Sequence, residues 1–314
     1  MTTLDGVHHV TAITGDAPRN LDFYVRVMGL RLVKKTVNQD DPTVYHLFYG
    51  DEEGSPGFDL TFFEYPGARR GRHGDGMVHT VVFRVGSSDA IEFWQGRLEG
   101  EGVASRILGD GGLLFEDPEG LRLELRVEDV PDRALPAVAP DVPAEHALVG
   151  FAGVRAYSAA PEDSADLLEN GLGFRRAGDG RWEARGDLRG GWIQYEPPPA
   201  EGGIQGAGTV HHVAWAMPLG DEEAWQSRVT QAGARATPVI DRFYFRSVYF
   251  REPSGVLFEL ATMGPGFAVD EDADRLGEKL ALPPFLEPNR ARIEAAVTPL
   301  PPVDSLRRQP VEPS

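Results

Sequence analysis

Apolar and polar positions follow two rhythms along the chain. Leu21, Phe23, Tyr24, Val27 and Met28 recur with the 3.6-residue period of a helix, and Gly29 follows as a C-terminal stop. A second helix-like stretch at 165–171 also ends in glycine. Short runs of alternating or β-branched character at 44–49, 59–63, 106–115, 182–184, 191–195 and 243–250 read as strands. The segment Asp117-Pro118-Glu119-Gly120 suits a hairpin better than a crossover, so the strands are expected to be antiparallel in part.

These elements repeat. Val78-His79-Thr80-Val81-Val82-Phe83 is similar to Val210-His211-His212-Val213-Ala214-Trp215, and 115–125 is similar to 250–260. Like openings stand at Gly6-Val7-His8-His9-Val10 and, more weakly, at Phe151-Ala152-Gly153-Val154. The repeating unit is a strand, a helix and about three strands, present four times. The expected fold class is α+β, with four βαβββ modules in two domains. Residues 1–128 hold modules one and two, and 146–264 hold modules three and four. Pro131, Pro136, Pro140 and Pro143 make 129–145 a linker, since prolines at that density sustain neither helix nor central strand. Residues 265–314 form an extension with a short helix near 290–297 and a Pro-rich tail that includes Pro310.

Composition narrows the chemistry. Asp and Glu number 49 against 31 Lys and Arg, for a net charge of -18, which argues against a nucleic-acid partner. No window approaches the about 18 apolar residues of a membrane helix, and the N-terminus lacks the pattern of a secretion signal. A cytoplasmic protein that does not engage membranes is expected, and self-association into a homo-oligomer stays open. The chain contains no cysteine, so any metal must be held by imidazole or carboxylate.

That constraint directs attention to the two His-His pairs, His8-His9 and His211-His212, which open modules one and four. Neighbours in a regular strand face opposite ways, so only one member of each pair should reach a given concave surface. If the second members face inward, His9 and His212 converge when the modules pack side by side. Glu259 lies within the apolar run 256–260, where an unpaired carboxylate is costly and a metal would remove that cost. Two imidazoles and a carboxylate suit Fe(II) with open positions for other ligands; Zn(II) and Mn(II) accept the same set. Modules two and three carry Thr80 and Gly153 at the equivalent inner positions and keep Glu124, as in a decayed second site. His46, in an apolar alternating strand, reads as either a cavity wall or a hydrogen-bonded strand residue. His73 reads as a loop residue, His146 as solvated, and His79 as a structural remnant.

The segments Val7-His8-His9-Val10-Thr11, Asn20-Leu21-Asp22-Phe23-Tyr24, Tyr45-His46-Leu47, Gly208-Thr209-Val210-His211-His212, the run 241–253 and Leu257-Phe258-Glu259 resemble the vicinal oxygen chelate superfamily. Within it the chain is similar to ring-cleaving dioxygenases that act on hydroquinones. The resemblance implies Fe(II) at His9, His212 and Glu259, a small aromatic diol and O2 as reactants, and His8, His211 and Tyr249 as supporting or acid/base groups. It also implies a substrate-facing arginine, either Arg242 or Arg246. The alternatives are a glyoxalase-like lyase or isomerase, which would draw a fourth ligand from Glu64, and a non-catalytic protein that sequesters an aromatic or antibiotic ligand.

Overall fold

In the computed structural model, which describes residues 3–306, all four expected units are formed; Pro310 and the end of the tail lie outside the described residues. The first unit comprises β1 (Val7–Thr14), α1 (Ala17–Asp22), β2 (Arg31–Val37), β3 (Tyr45–Gly50) and β4 (Asp59–Glu64). The second comprises β5 (Val78–Val85), α2 (Ser88–Gly100), β6 (Ser105–Ile107), β7 (Leu113–Glu116) and β8 (Arg122–Val127). In the third, short 3-10 and π turns at Pro161–Ser164 and Leu167–Gly171 replace the helix between β9 (Leu148–Tyr157) and β10 (Arg175–Gly178), β11 (Arg181–Arg185) and β12 (Gly190–Glu196). The fourth comprises β13 (Val210–Met217), α3 (Glu222–Gln231), β14 (Ile240–Asp241), β15 (Arg246–Arg251) and β16 (Leu257–Thr262). A last helix, α4 (Arg290–Ala296), lies in the extension. Among the described residues no helix is long and apolar enough to cross a membrane.

Within the first unit β1 and β4 are parallel, while β3 runs antiparallel to both β2 and β4. Antiparallel pairing of opening strands joins the units. β1 pairs with β13 to make one eight-stranded sheet from units one and four, and β5 pairs with β9 to make the other from units two and three. The first sheet thus joins the two ends of the chain, and the second is built from its middle. Alternation along the strands sorts the faces. Val10, Phe258 and Leu260 join the large apolar core, whereas His9, Leu257 and Glu259 line a concave cup on the opposite face.

The junctions carry a feature that strict alternation does not foresee. Val7 faces Trp215 and His9 faces Ala214, so His8 is an extra residue on β1; likewise Thr11 faces His212 and Ala12 faces Val210, which makes His211 extra on β13. In the second sheet His79 and Ala152 are extra in the same way. Every unit therefore opens on a β-bulge. A bulge sets two consecutive residues against one partner and re-aims their side chains. Both His211 and His212 line the cup, which corrects the expectation of one histidine for that pair, whereas of the first pair only His9 lines it.

Four local readings also change. β2 escaped the alternation pattern because Lys34 and Lys35 interrupt it, yet Lys34 is fully buried. Its ammonium donates to the Phe267 carbonyl at 3.0 Å and to Asp270 at 2.8 Å, and it pairs with Glu271, which ties the C-terminal extension to the sheet. The run 106–115 is a hairpin of two strands rather than one strand. At 243–245 the chain turns before β15 begins, with Phe243 at φ 68°, a left-handed conformation uncommon outside glycine. His146 is half-buried and stacks on Phe93 with ring centroids 4.8 Å apart, so it is not freely solvated.

Candidate metal centre

At the centre of the first cup, His9 Nε2 lies 3.2 Å from His212 Nε2, and Glu259 Oε2 lies 3.1 Å from the first and 2.9 Å from the second. All three residues are buried, and among the described residues they form the cluster suited to hold a metal ion. Both Glu259 oxygens lack a hydrogen-bond partner, an arrangement costly for a carboxylate away from water.

Hydrogen bonds behind the cluster orient its lone pairs. His8 Nε2 is 3.1 Å from the Thr262 carbonyl, which can only accept, so the His8 proton sits on Nε2. Burial, with a smaller contribution from the neighbouring His9, pushes the His8 pKa down to about 3, so this ring is neutral and its Nδ1 is bare. His8 Nδ1 then accepts from His9 Nδ1 at 3.0 Å, and a singly protonated His9 turns a bare Nε2 toward the cluster. His212 makes the matching contact, Nδ1 to Nδ1 of His211 at 2.8 Å. Three lone-pair atoms thus converge. In an octahedral shell with bonds of about 2.1 Å, adjacent ligands stand about 3.0 Å apart, close to the spacings in this cup. The residues fit a divalent ion bound on one face.

The ligand set lies in the wall of a cavity of about 330 Å³, in the usual range for small-molecule sites. His46, His211, Arg242 and Tyr249 also line it. His46 satisfies both of its sequence readings, as it faces the cavity and bonds Thr61 Oγ1 at 2.9 Å. Thr61 bonds Thr11 at 2.8 Å, and Thr11 lies 2.9 Å from His212 Nε2, so a continuous polar chain reaches the metal ligands. Burial, then His212, pushes His211 down to about 3. Burial and the nearby Glu259 charge push the Tyr249 phenol up, against the influence of Arg242, so it keeps its proton.

Other candidates fall outside. Arg246 does not line the cavity; its side chain is 53% exposed and pairs with Glu222 at 3.2 Å, because it lies on the face of β15 that meets α3. This corrects its placement beside the substrate and leaves Arg242 as the arginine in the wall. His8 supports His9 from behind and lines no part of the cavity. Glu64 is buried on the other face of β4 from Thr61 and Phe63, where it accepts from Ala17 N at 3.0 Å and Thr298 Oγ1 at 2.9 Å. It is not a member of the metal cluster.

The second cup holds a different arrangement at matching register. Thr80 faces Arg155 and Val82 faces Gly153, where the first sheet pairs His212 with Thr11 and Ala214 with His9. Arg155 grips Glu124 at 2.7 and 3.1 Å and Glu196 at 2.9 Å, so a guanidinium supplies the positive charge in that cup. A Cβ at Gly153 would fall 2.2 Å from the Trp192 carbonyl oxygen and 2.5 Å from its ring, leaving no room for a histidine there. Sequence reasoning identified Thr80, Gly153 and Glu124 by the repeat but gave no role to Arg155, whose partners come from two different units.

Known proteins share this architecture. The family model for the Glyoxalase/Bleomycin resistance protein/Dioxygenase superfamily matches residues 6–125 and 150–260. The chain is 44% identical over 302 residues to "Putative ring-cleaving dioxygenase MhqO" of Bacillus subtilis, covering 94% of this chain and 96% of the relative. It is 33% identical over 302 residues to the chlorohydroquinone/hydroquinone 1,2-dioxygenase of Sphingobium indicum, covering 90% and 93%. A solved Bacillus subtilis structure described as a putative dioxygenase superposes with a TM-score of 0.89 at 43% identity, covering 96% of this chain and 99% of that one. Maize glyoxalase I shares the fold at 15% identity with a TM-score of 0.59, over 82% of this chain and 92% of its own. With the family model matched in both halves and relatives aligned over nearly their full length, this chain belongs to the Glyoxalase/Bleomycin resistance protein/Dioxygenase superfamily.

Proposed function

We propose that this protein is a ring-cleaving dioxygenase that uses Fe(II) held by His9, His212 and Glu259 to open a hydroquinone or related aromatic diol with O2. The observation that carries the reading is the buried set of two imidazoles and one carboxylate, spaced about 3 Å apart in the wall of a cavity of about 330 Å³. The relatives' names support the same chemistry. Bound Fe(II) supplies Lewis acidity toward a phenol oxygen and one-electron chemistry with dioxygen.

The chain's own residues do the rest. His211 is neutral at physiological pH and its Nδ1 accepts from His212 Nδ1, so its own proton sits on Nε2, which donates a hydrogen bond to an oxygen of the bound diol. Tyr249, protonated, donates a hydrogen bond to an oxygen of the bound reactants. Phe63 and Phe245 give the cavity apolar walls that take an aromatic ring and exclude water. A glyoxalase-like reaction is less well served, because Glu64, the fourth ligand it would need, is engaged elsewhere.

The test is anaerobic reconstitution with Fe(II), followed by oxygen-uptake measurements with hydroquinones and catechols. Uptake that requires Fe(II) and disappears in His9→Ala supports the proposal. Metal-dependent conversion of a hemithioacetal without oxygen overturns it.

A further inference from the structure

The mouth of the cavity carries a charge arrangement that neither the family nor the metal site explains. Arg242 is the one lysine or arginine lining the cavity among the described residues. Its guanidinium stands 5.4 Å from the Tyr249 ring centroid, beside the metal ligands. One N–H of each terminal nitrogen is given to Asp40, to Oδ1 at 3.1 Å and to Oδ2 at 2.9 Å, in a two-pronged ion pair across the loops that follow β2 and β14.

We propose that Asp40 makes this cavity select uncharged aromatic diols over their ring-carboxylated analogues, by occupying the Arg242 fork that would otherwise bind a carboxylate. The proposal rests on the dioxygenase reading for its diol class and deepens it. A guanidinium recognises a carboxylate best through two parallel hydrogen bonds from one edge, and the edge formed by the two terminal nitrogens of Arg242 is already paired in this way with Asp40. Glu259 is the other acid in the wall, and its charge is directed at the metal cluster. A ring carboxylate entering the cavity therefore meets an arginine whose charge Asp40 already balances, and must compete with Asp40 for the paired edge against the repulsion of that anion. An uncharged ring has no such conflict.

The loop does not depend on Asp40 for its shape. The Arg242 carbonyl accepts from Gln39 Nε2 at 2.7 Å and from Tyr244 N at 2.8 Å, which fixes the backbone independently of the ion pair. Asp40 is itself 72% exposed, so Asp40→Asn removes charge without opening the core. Exposure also limits the effect, since ion pairs in contact with water are modest.

The test measures equilibrium binding to the anaerobic Fe(II)-loaded protein, where no turnover occurs, by tryptophan fluorescence or calorimetry. The probes are 1,4-hydroquinone and 2,5-dihydroxybenzoate, compared in wild type, Asp40→Asn and Glu99→Gln, the last an equal charge change at an exposed site on α2. Asp40→Asn is expected to tighten 2,5-dihydroxybenzoate by about 3- to 5-fold while hydroquinone changes less than about 2-fold. The gain should shrink in about 1 M salt, and Glu99→Gln should shift neither ligand. An unchanged ratio of the two dissociation constants in Asp40→Asn, or an equal change in Glu99→Gln, overturns the proposal. Failure of wild type to consume oxygen with hydroquinone would instead overturn the dioxygenase reading, and the binding ratio would still judge Asp40.

Discussion

Replacing His8 with leucine tests the chain of hydrogen bonds behind the metal ligands. Leucine has nearly the volume of the imidazole and no polar atom, so His8→Leu removes the bond to the Thr262 carbonyl at 3.1 Å and the bond to His9 Nδ1 at 3.0 Å without leaving a large void. Two losses should separate. In the metal-free protein, the buried Thr262 carbonyl and His9 Nδ1 lose a shared partner, at about 1–3 kcal/mol of stability. In metal binding, His9 loses the contact that holds its proton on Nδ1 and its bare Nε2 toward the cluster. Outer partners of metal-bound histidines typically contribute about 10- to 100-fold in affinity, or about 1.4–2.7 kcal/mol. Competition with a chelator of known affinity for Zn(II) or Fe(II) measures this term, and urea unfolding of the stripped protein measures the first. His8→Gln, which can still donate to Thr262, should recover part of the stability while metal binding stays weak. A His8→Leu protein whose metal affinity stays within about threefold of wild type would refute the relay.

Three further outcomes follow from the same structure. Gly153→Ala should lower stability by about 1–3 kcal/mol, because its Cβ meets Trp192 backbone and ring. Its metal stoichiometry should remain one ion per chain, measured by elemental analysis beside thermal unfolding. Arg155→Met should destabilise by about 1–3 kcal/mol, less than the loss of a fully buried partner, because Arg155 is partly exposed and Arg126 still holds Glu124 at 2.7 Å. Unchanged denaturant midpoints would contradict this. The metal-free chain should also lose stability on acidification from pH 6.5 toward about 3. His8 and His211 are each lowered in the fold from 6.5 to about 3, chiefly by burial, so over that window the unfolded chain binds more protons than the native one. Stability from these groups is complete above 6.5 and falls as pH drops. A flat profile of unfolding free energy between pH 6.5 and 4.5 would count against buried neutral rings.

Much of the site was legible because duplication writes itself into the chain. The repeat marked His8, His79, Ala152 and His211 as equivalent, and each proves to be the extra residue of a bulge. The bulge itself was not legible. It is a mismatch between two strands some 200 residues apart in sequence, such as Val7–Thr14 and Val210–Met217, and local alternation carries no record of it. Arg242 and Arg246 were likewise indistinguishable as a pair near one strand, until the turn at Phe243 sent one into the cavity and the other toward Glu222.

By itself, the sequence determined the four units, the α+β class and the chemistry available to the site: nitrogen and oxygen donors, with no thiol. Those follow from composition and local periodicity, which each segment carries alone. Tertiary structure decided which units share a sheet, that His211 joins His212 in the cup while His8 stands behind His9, that Arg155 fills the second cup, and that buried Lys34 anchors the extension. Each depends on partners distant in sequence, and the free energy of a buried charge or a bulged strand is set by what packs against it.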